Sequence, residues 1–163
     1  MLGPLKEDSG SALMDYLDDM NSLKFLGFID VDEHKCQVMS IIKDYPEAIQ
    51  FVDNPPLWLQ LEAVAIDSFA IEHIRNPHKS TQMAAVSYRG DSIQFIDDPD
   101  HDVRLAAVKQ NGTSIKHIKN PSDDIQMAAV KRNFFSLNFI DDPIPEARAY
   151  ASSHLSWPTS NDT

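Results

Sequence analysis

The residues able to do chemistry are scattered along the chain. Histidines stand at His34, His73, His78, His101, His117 and His154, with a single cysteine, Cys36. A zinc site needs three or four such ligands at short, fixed spacings. No histidine pairs with another, or with Cys36, at a helical i, i+4 spacing. His34 and Cys36 are two apart beside Asp30, Asp32 and Glu33, which reads as an ordinary loop. Asp97, Asp98, Asp100 and Asp102 suggest a calcium loop, but the run lacks the glycine at the sixth position and the closing glutamate. Helix capping accounts for these acids better. There is no G-x-S-x-G to hold a serine nucleophile and no G-x-x-x-x-G-K-[ST] to cradle phosphate. Gly90 and Gly112 read as isolated turn glycines. The reading is therefore not an enzyme, with no cofactor and no metal.

What must position any functional side chain is an internal repeat. Segments 60–81, 82–103, 104–125 and 126–147 align without an insertion at a period of 22 residues, preceded by a degenerate unit at 38–59 and followed by a partial one at 148–153. Pro55, Pro77, Pro99, Pro121 and Pro143 form one column. Ile49, Ile71, Ile93, Ile115 and Leu137 form a second, and Val52, Ile74, Ile96, Ile118 and Ile140 a third. A fixed period of this length is the signature of stacked supersecondary units, none of which buries its apolar face alone.

Each unit reads as a helix of about ten residues, a tight turn and a second helix of about six, short enough to be 3₁₀; a weakly alternating strand over SIQFI or SIKHI is the competitor. In 98–120, Asp98 is the expected N-cap with Pro99 at the first helical position. Asp100 and Asp102 follow in the first turn, where acids suit the helix dipole. Asn111-Gly112 is the expected stop, since both tolerate the left-handed conformation. Thr113 or Ser114 is the expected cap of the second helix. The alanine pairs Ala84-Ala85, Ala106-Ala107 and Ala128-Ala129 let neighbouring helices approach closely. The fold class expected is all-α: a short α-solenoid of about five helix–turn–short-helix (α/3₁₀) repeats. Residues 1–37 form an N-terminal acidic helical cap, with Leu13, Leu17, Met20 and Leu23 on one face of a helix over about 9–28. Residues 38–153 form the solenoid. Residues 154–163 form a C-terminal cap and polar tail, Tyr150, Leu155 and Trp157 covering the last repeat.

The pattern D-P-x-x-x-V-R-L-A-A-V-x-x-N over 98–111 resembles the leucine-rich repeat variant, with HEAT-like repeats as wider kin. The resemblance covers about 38–153 and implies short α-helices stacked against 3₁₀ helices in a right-handed superhelix that serves as a binding scaffold. The units here are slightly shorter. The second proline of that pattern is replaced by Gly90, Gly112 or Phe134, and the cysteine-clustered iron–sulfur segment sometimes attached to such repeats is absent.

Two columns alternate at double the period. Asp53, Arg75, Asp97, Lys119 and Asp141 read as an inter-repeat acid–base ladder of exposed ion pairs. Phe51, His73, Phe95, His117 and Phe139 place His73 and His117 in partly buried sites between phenylalanines. Positions that change chemistry inside a fixed repeat are where a scaffold writes specificity. The expected partner contacts are Tyr88, Arg89, Lys109, Gln110, Lys131, Arg132 and Phe135, aromatics and arginines being favoured interface anchors.

The net charge is −11. Arg89, Lys109, Lys131 and Arg132 gather at the C-terminal ends of the first helices. Asp97, Asp98, Asp100, Asp102, Asp123, Asp124, Asp141 and Asp142 gather at the opposite turns. Three binding readings follow. The leading one is a scaffold or adaptor for another protein. The second is an acidic inhibitor occupying a basic nucleic-acid or nucleotide site on a target. The third is direct phosphate or nucleic-acid binding by the basic ridge, which the overall charge disfavours. The single cysteine, the absence of a membrane-length apolar run and an acidic rather than signal-like start point to a soluble, cytoplasmic protein. The alanine-rich ends allow a homodimer.

Overall fold

The computed structural model describes residues 33–155, the side chains of Gln37 and Leu155 excepted. The helix expected over 9–28 and the covering role of Leu155 and Trp157 fall outside that description. Among the described residues there is no strand. Six α-helices alternate with five 3₁₀ helices: α1 Lys35–Asp44, η1 Pro46–Phe51, α2 Leu57–Ile66, η2 Ser68–His73, α3 Lys79–Tyr88, η3 Gly90–Phe95, α4 His101–Gln110, η4 Gly112–His117, α5 Asp123–Arg132, η5 Phe134–Phe139 and α6 Pro145–Leu155. Each α-helix starts 22 residues after the last. The first five are ten residues long, and each 3₁₀ helix has six. Residues 148–153, the partial unit, lie within α6, which runs Pro145–Leu155. No helix among the described residues is long and apolar enough to cross a membrane.

The turns depart from expectation. Asp98 does not cap α4. It lies in the left-handed region at φ 44°, and Asp100 occupies the cap position. Asn54, Asn76 and Asn120 repeat that left-handed conformation at equivalent positions. Asn and Asp adopt it at lower cost than other side chains, and the proline that follows fixes the next φ as the chain leaves the turn. At the other end of α4, Asn111 is extended (φ −138°) and Gly112 opens η4, so neither residue is a left-handed stop. The cap of η4 is Asn111 rather than Thr113 or Ser114, its Oδ1 accepting the Thr113 N–H at 3.2 Å. Asp67 and Asn133 cap η2 and η5 in the same way, at 2.9 and 3.0 Å. A carboxylate or amide oxygen two residues ahead of its donor makes this local ring. Glycine is needed at 112 for proximity: a Cβ there would meet the Ala129 carbonyl oxygen at 2.5 Å and Ser136 Oγ at 2.8 Å. Gly90 faces the Ala107 carbonyl and Ser114 Oγ in the same way.

The core runs between the two kinds of helix. Ala63, Ala85, Ala107 and Ala129 are fully buried on the α side, as are Val64, Val86, Val108 and Val130. Ile49, Ile71, Ile93 and Ile115 are buried on the 3₁₀ side. Burying each large aliphatic side chain contributes about 1.5–3 kcal/mol. Ala84, Ala106 and Ala128 pack only partly. Each α-helix touches the next α-helix, its own 3₁₀ helix and the one before, while each 3₁₀ helix touches the next; no described element contacts a more distant one.

A polar column also binds the units together. Gln60, Gln82 and Gln126 donate through Nε2 to the carbonyls of Pro55, Pro77 and Pro121, five residues back, at 2.8, 3.0 and 3.1 Å. Arg104 and Arg148 do so through Nε to Pro99 and Pro143, at 2.7 and 2.9 Å. Gln60 Oε1 further accepts the His78 N–H (3.1 Å) and the Thr81 hydroxyl (3.0 Å), at the start of the next α-helix, α3. Gln126 Oε1 accepts the Ile144 N–H at 2.9 Å.

Candidate functional site

The C-terminal ends of α3, α4, α5 and α6 lie along one edge, beside the starts of η3, η4 and η5. A groove of about 670 Å³ runs there, lined by Phe69, Arg89, Asp91, Gln110, Asn111, Lys131, Arg132, Phe134, Tyr150 and His154 among others. Four of the seven expected contact residues, Arg89, Gln110, Lys131 and Arg132, therefore share it. Lys109 lines an adjoining groove of about 590 Å³ with Leu105, Met127 and Ala128, and Lys131 and Arg132 form the ridge common to both. Tyr88 and Phe135 line neither; they stand exposed, at 59% and 55%.

Two of these residues also brace the frame. Gln110 accepts the Gly90 N–H through Oε1 at 2.7 Å and donates to the Tyr88 carbonyl at 3.1 Å, tying α4 to the end of α3. Arg132 donates through Nε to the carbonyls of Lys109 and Gln110, at 3.0 and 3.2 Å. A guanidinium at the last carbonyls of a helix satisfies acceptors that have no partner inside the helix. Arg89 stands where the neighbouring units carry an Asx cap, and its guanidinium lies over the Phe69 ring at 4.6 Å. Phe69 in turn meets Phe95 edge-on at 5.3 Å. Tyr150 and His154 stack at 4.2 Å on the far wall.

One acid faces this groove. Asp91 accepts from the Ser114 hydroxyl (2.9 Å) and from Asn111 Nδ2 (3.2 Å), with His117 Nε2 at 3.8 Å. Sequence reasoning missed this cluster, because Asp91 replaces an aromatic of the preceding unit and nothing in the spacing marks its partners. Burial is the largest cause holding His117 below its ordinary pKa; Lys116 adds to it and Asp91 opposes it. Ser114 donates to Asp91 rather than to His117, so the trio does not form an activated nucleophile.

The charged ladder takes another form. Asp53, Arg75, Asp97, Lys119 and Asp141 are exposed at equivalent turn positions, and none of them joins an ion pair among the described residues. Apart from His117 and Asp91, the pairs between units lie instead at the helix starts. Lys79 reaches Asp100 at 2.7 Å and Asp102 at 3.5 Å, and His101 Nε2 stands 2.9 Å from Asp124. The Lys79 ammonium, bonded to Asp100, lowers that carboxyl's pKa and has its own raised. The Ser122 hydroxyl is the largest cause lowering Asp124. Arg75 and Asp97 do meet around a second groove, about 770 Å³, with Phe51, His73 and Phe95. No group of three or more His, Cys, Asp or Glu side chains that could hold a metal occurs among the described residues.

No family model, curated protein or solved structure matches this chain. The edge is accordingly read from its own chemistry: a half-apolar groove, cations along one rim, and a backbone held by side chains from neighbouring units.

Proposed function

We propose that the chain is a non-enzymatic binding scaffold, a short α-solenoid of the leucine-rich-repeat-variant or HEAT-like kind, and that it receives a second protein along the α-C-terminal edge. The supporting observation is the gathering of Arg89, Gln110, Lys131 and Arg132, which come from three successive helix ends, around one groove. The ties from Gln110 and Arg132 to neighbouring backbone fix that rim before any partner arrives. A pre-set rim loses less conformational entropy on binding than a mobile one.

The test is affinity capture from nuclease-treated lysate with the wild-type chain, with Arg89→Glu/Lys131→Glu, and with Arg75→Glu/Lys119→Glu as a matched control. Arg89 and Lys131 are chosen because they make no hydrogen bond to a neighbouring unit's backbone. A defined protein retained by wild type and control but lost from the edge variant supports the reading. Equal retention by all three removes this edge as the site. A nucleic-acid enzyme retained equally by all three and released at high salt moves the function to the acidic side of the molecule.

A further inference from the structure

We infer that this edge takes an extended acidic peptide with a carboxylate at every third residue; the inference rests on the scaffold reading and adds the chemistry of the occupant. The first observation is a difference between the two edges. At the helix starts, Lys79, His101, Arg104 and Arg148 each lie within 4.0 Å of an aspartate. At the helix ends, Arg89, Lys109, Lys131 and Arg132 have no carboxylate within that distance. In a chain of net charge −11, these four cations share one edge without an anionic partner, whereas the unpaired Arg75 and Lys119 stand among the aspartates of the opposite turns. Asp91, the acid lining the groove, already accepts two hydrogen bonds, from Ser114 and Asn111.

The second observation is spacing. The cations come from three successive units: Arg89 as the C-cap of α3, Lys109 in the last turn of α4, and Lys131 with Arg132 in the last turn of α5, Lys109 and Lys131 standing at equivalent repeat positions. Packed helices are about 8–10 Å apart, so Lys109 and Lys131, at equivalent positions of adjacent helices, have that step. A peptide in the extended left-handed conformation has three residues per turn and rises about 3.1 Å per residue. Carboxylates at i, i+3 and i+6 then fall on one face about 9 Å apart, in step with Lys109 and Lys131 and continuing toward Arg89 one unit along. A β-strand fails this match, because residues three apart point to opposite faces. The intervening apolar residues would meet Phe69, Phe134 and Tyr150 in the groove. Nucleic acid fits less well. Its phosphates are much more closely spaced than the cations, and the acidic edge of the same molecule repels a long polyanion.

Fluorescence anisotropy on the full chain tests this with four labelled probes: a (Glu-Pro-Val) repeat, the same composition with the glutamates in one block, the (Gln-Pro-Val) repeat, and oligo-dT. The periodic glutamate peptide should bind at least about tenfold more tightly than the blocked and glutamine peptides, since each exposed pair contributes modestly. That preference should vanish in Arg89→Glu/Lys131→Glu, persist in Arg75→Glu/Lys119→Glu, and weaken with added salt. Equal binding of the blocked peptide overturns the spacing argument, and tighter binding of oligo-dT overturns the choice of partner. If no peptide binds while the edge variant still loses its captured protein, the acidic-peptide inference falls and the scaffold reading stands. If the edge variant also keeps its captured protein, both fall.

Discussion

Single residues in this molecule are judged by what lies across the unit boundary. Ser92, Ser114 and Ser136 are fully buried at equivalent positions, yet only Ser114 has a partner, Asp91. Residue 91 supplies that acceptor, while Phe69 and Thr113 occupy the matching place in the other units. Removing a buried hydroxyl that bonds to nothing is near neutral or stabilising, whereas removing one that serves a carboxylate costs about 1–3 kcal/mol. Urea denaturation should therefore show Ser136→Ala at or above wild-type stability and Ser114→Ala well below it; equal losses would break the argument. His117 adds a pH dependence. Its folded pKa lies below the unfolded value because burial disfavours the imidazolium. The unfolded chain then binds more protons between the two values, so stability is whole above about pH 6.5 and declines as pH falls through that value. Melting curves from pH 8 to 5 should show this decline in wild type and a shallower one in His117→Gln.

At the scale of elements, the ties between units matter more than the helices' own propensities. Gln126 holds both the Pro121 carbonyl and the Ile144 N–H, while Gln82 bonds to its own Pro77. Gln126→Ala should cost about 1–3 kcal/mol, since it orphans a donor at the entry to the next helix, α6, and Gln82→Ala less, as read by denaturant midpoints. Charge reversal at Lys79 should lower the melting temperature more than reversal at Lys119, because Lys79 has two aspartates of the next unit beside it. These points show where the sequence was informative. Element lengths and period were legible because the proline and isoleucine columns repeat without a slip, and 22 residues leave room for little else. The long donors at 60, 82, 104, 126 and 148 were equally visible, but their proline-carbonyl targets were not, because those depend on the left-handed residue that turns the chain. The ladder misled for a related reason. Equivalent residues recur in neighbouring units, but side chains in exposed turns need not meet, and the cations that do meet acids sit at the helix starts. At the candidate site, the chemistry of Arg89 and Lys131 was legible. The bracing by Gln110 and Arg132 was not, since it takes coordinates to show a side chain reaching the carbonyls of the preceding unit.

The whole molecule has one contact rule: each described element meets only its neighbours in the chain. Stability in such a chain is close to a sum of unit and interface contributions. Hydrogen exchange should follow, with amides of α6, which packs against α5 and η5, opening before those of α4, which is flanked by α3 and α5. Uniform exchange across both would mean a cooperativity that the contacts do not predict. The same rule governs how the molecule answers to force. Among the described residues no pairing between distant segments locks one end to the other, so a pull applied at residues 33 and 155 loads the units in series. Each would yield alone, releasing about 75 Å of chain, and the trace would be a row of small, evenly spaced teeth rather than a single break.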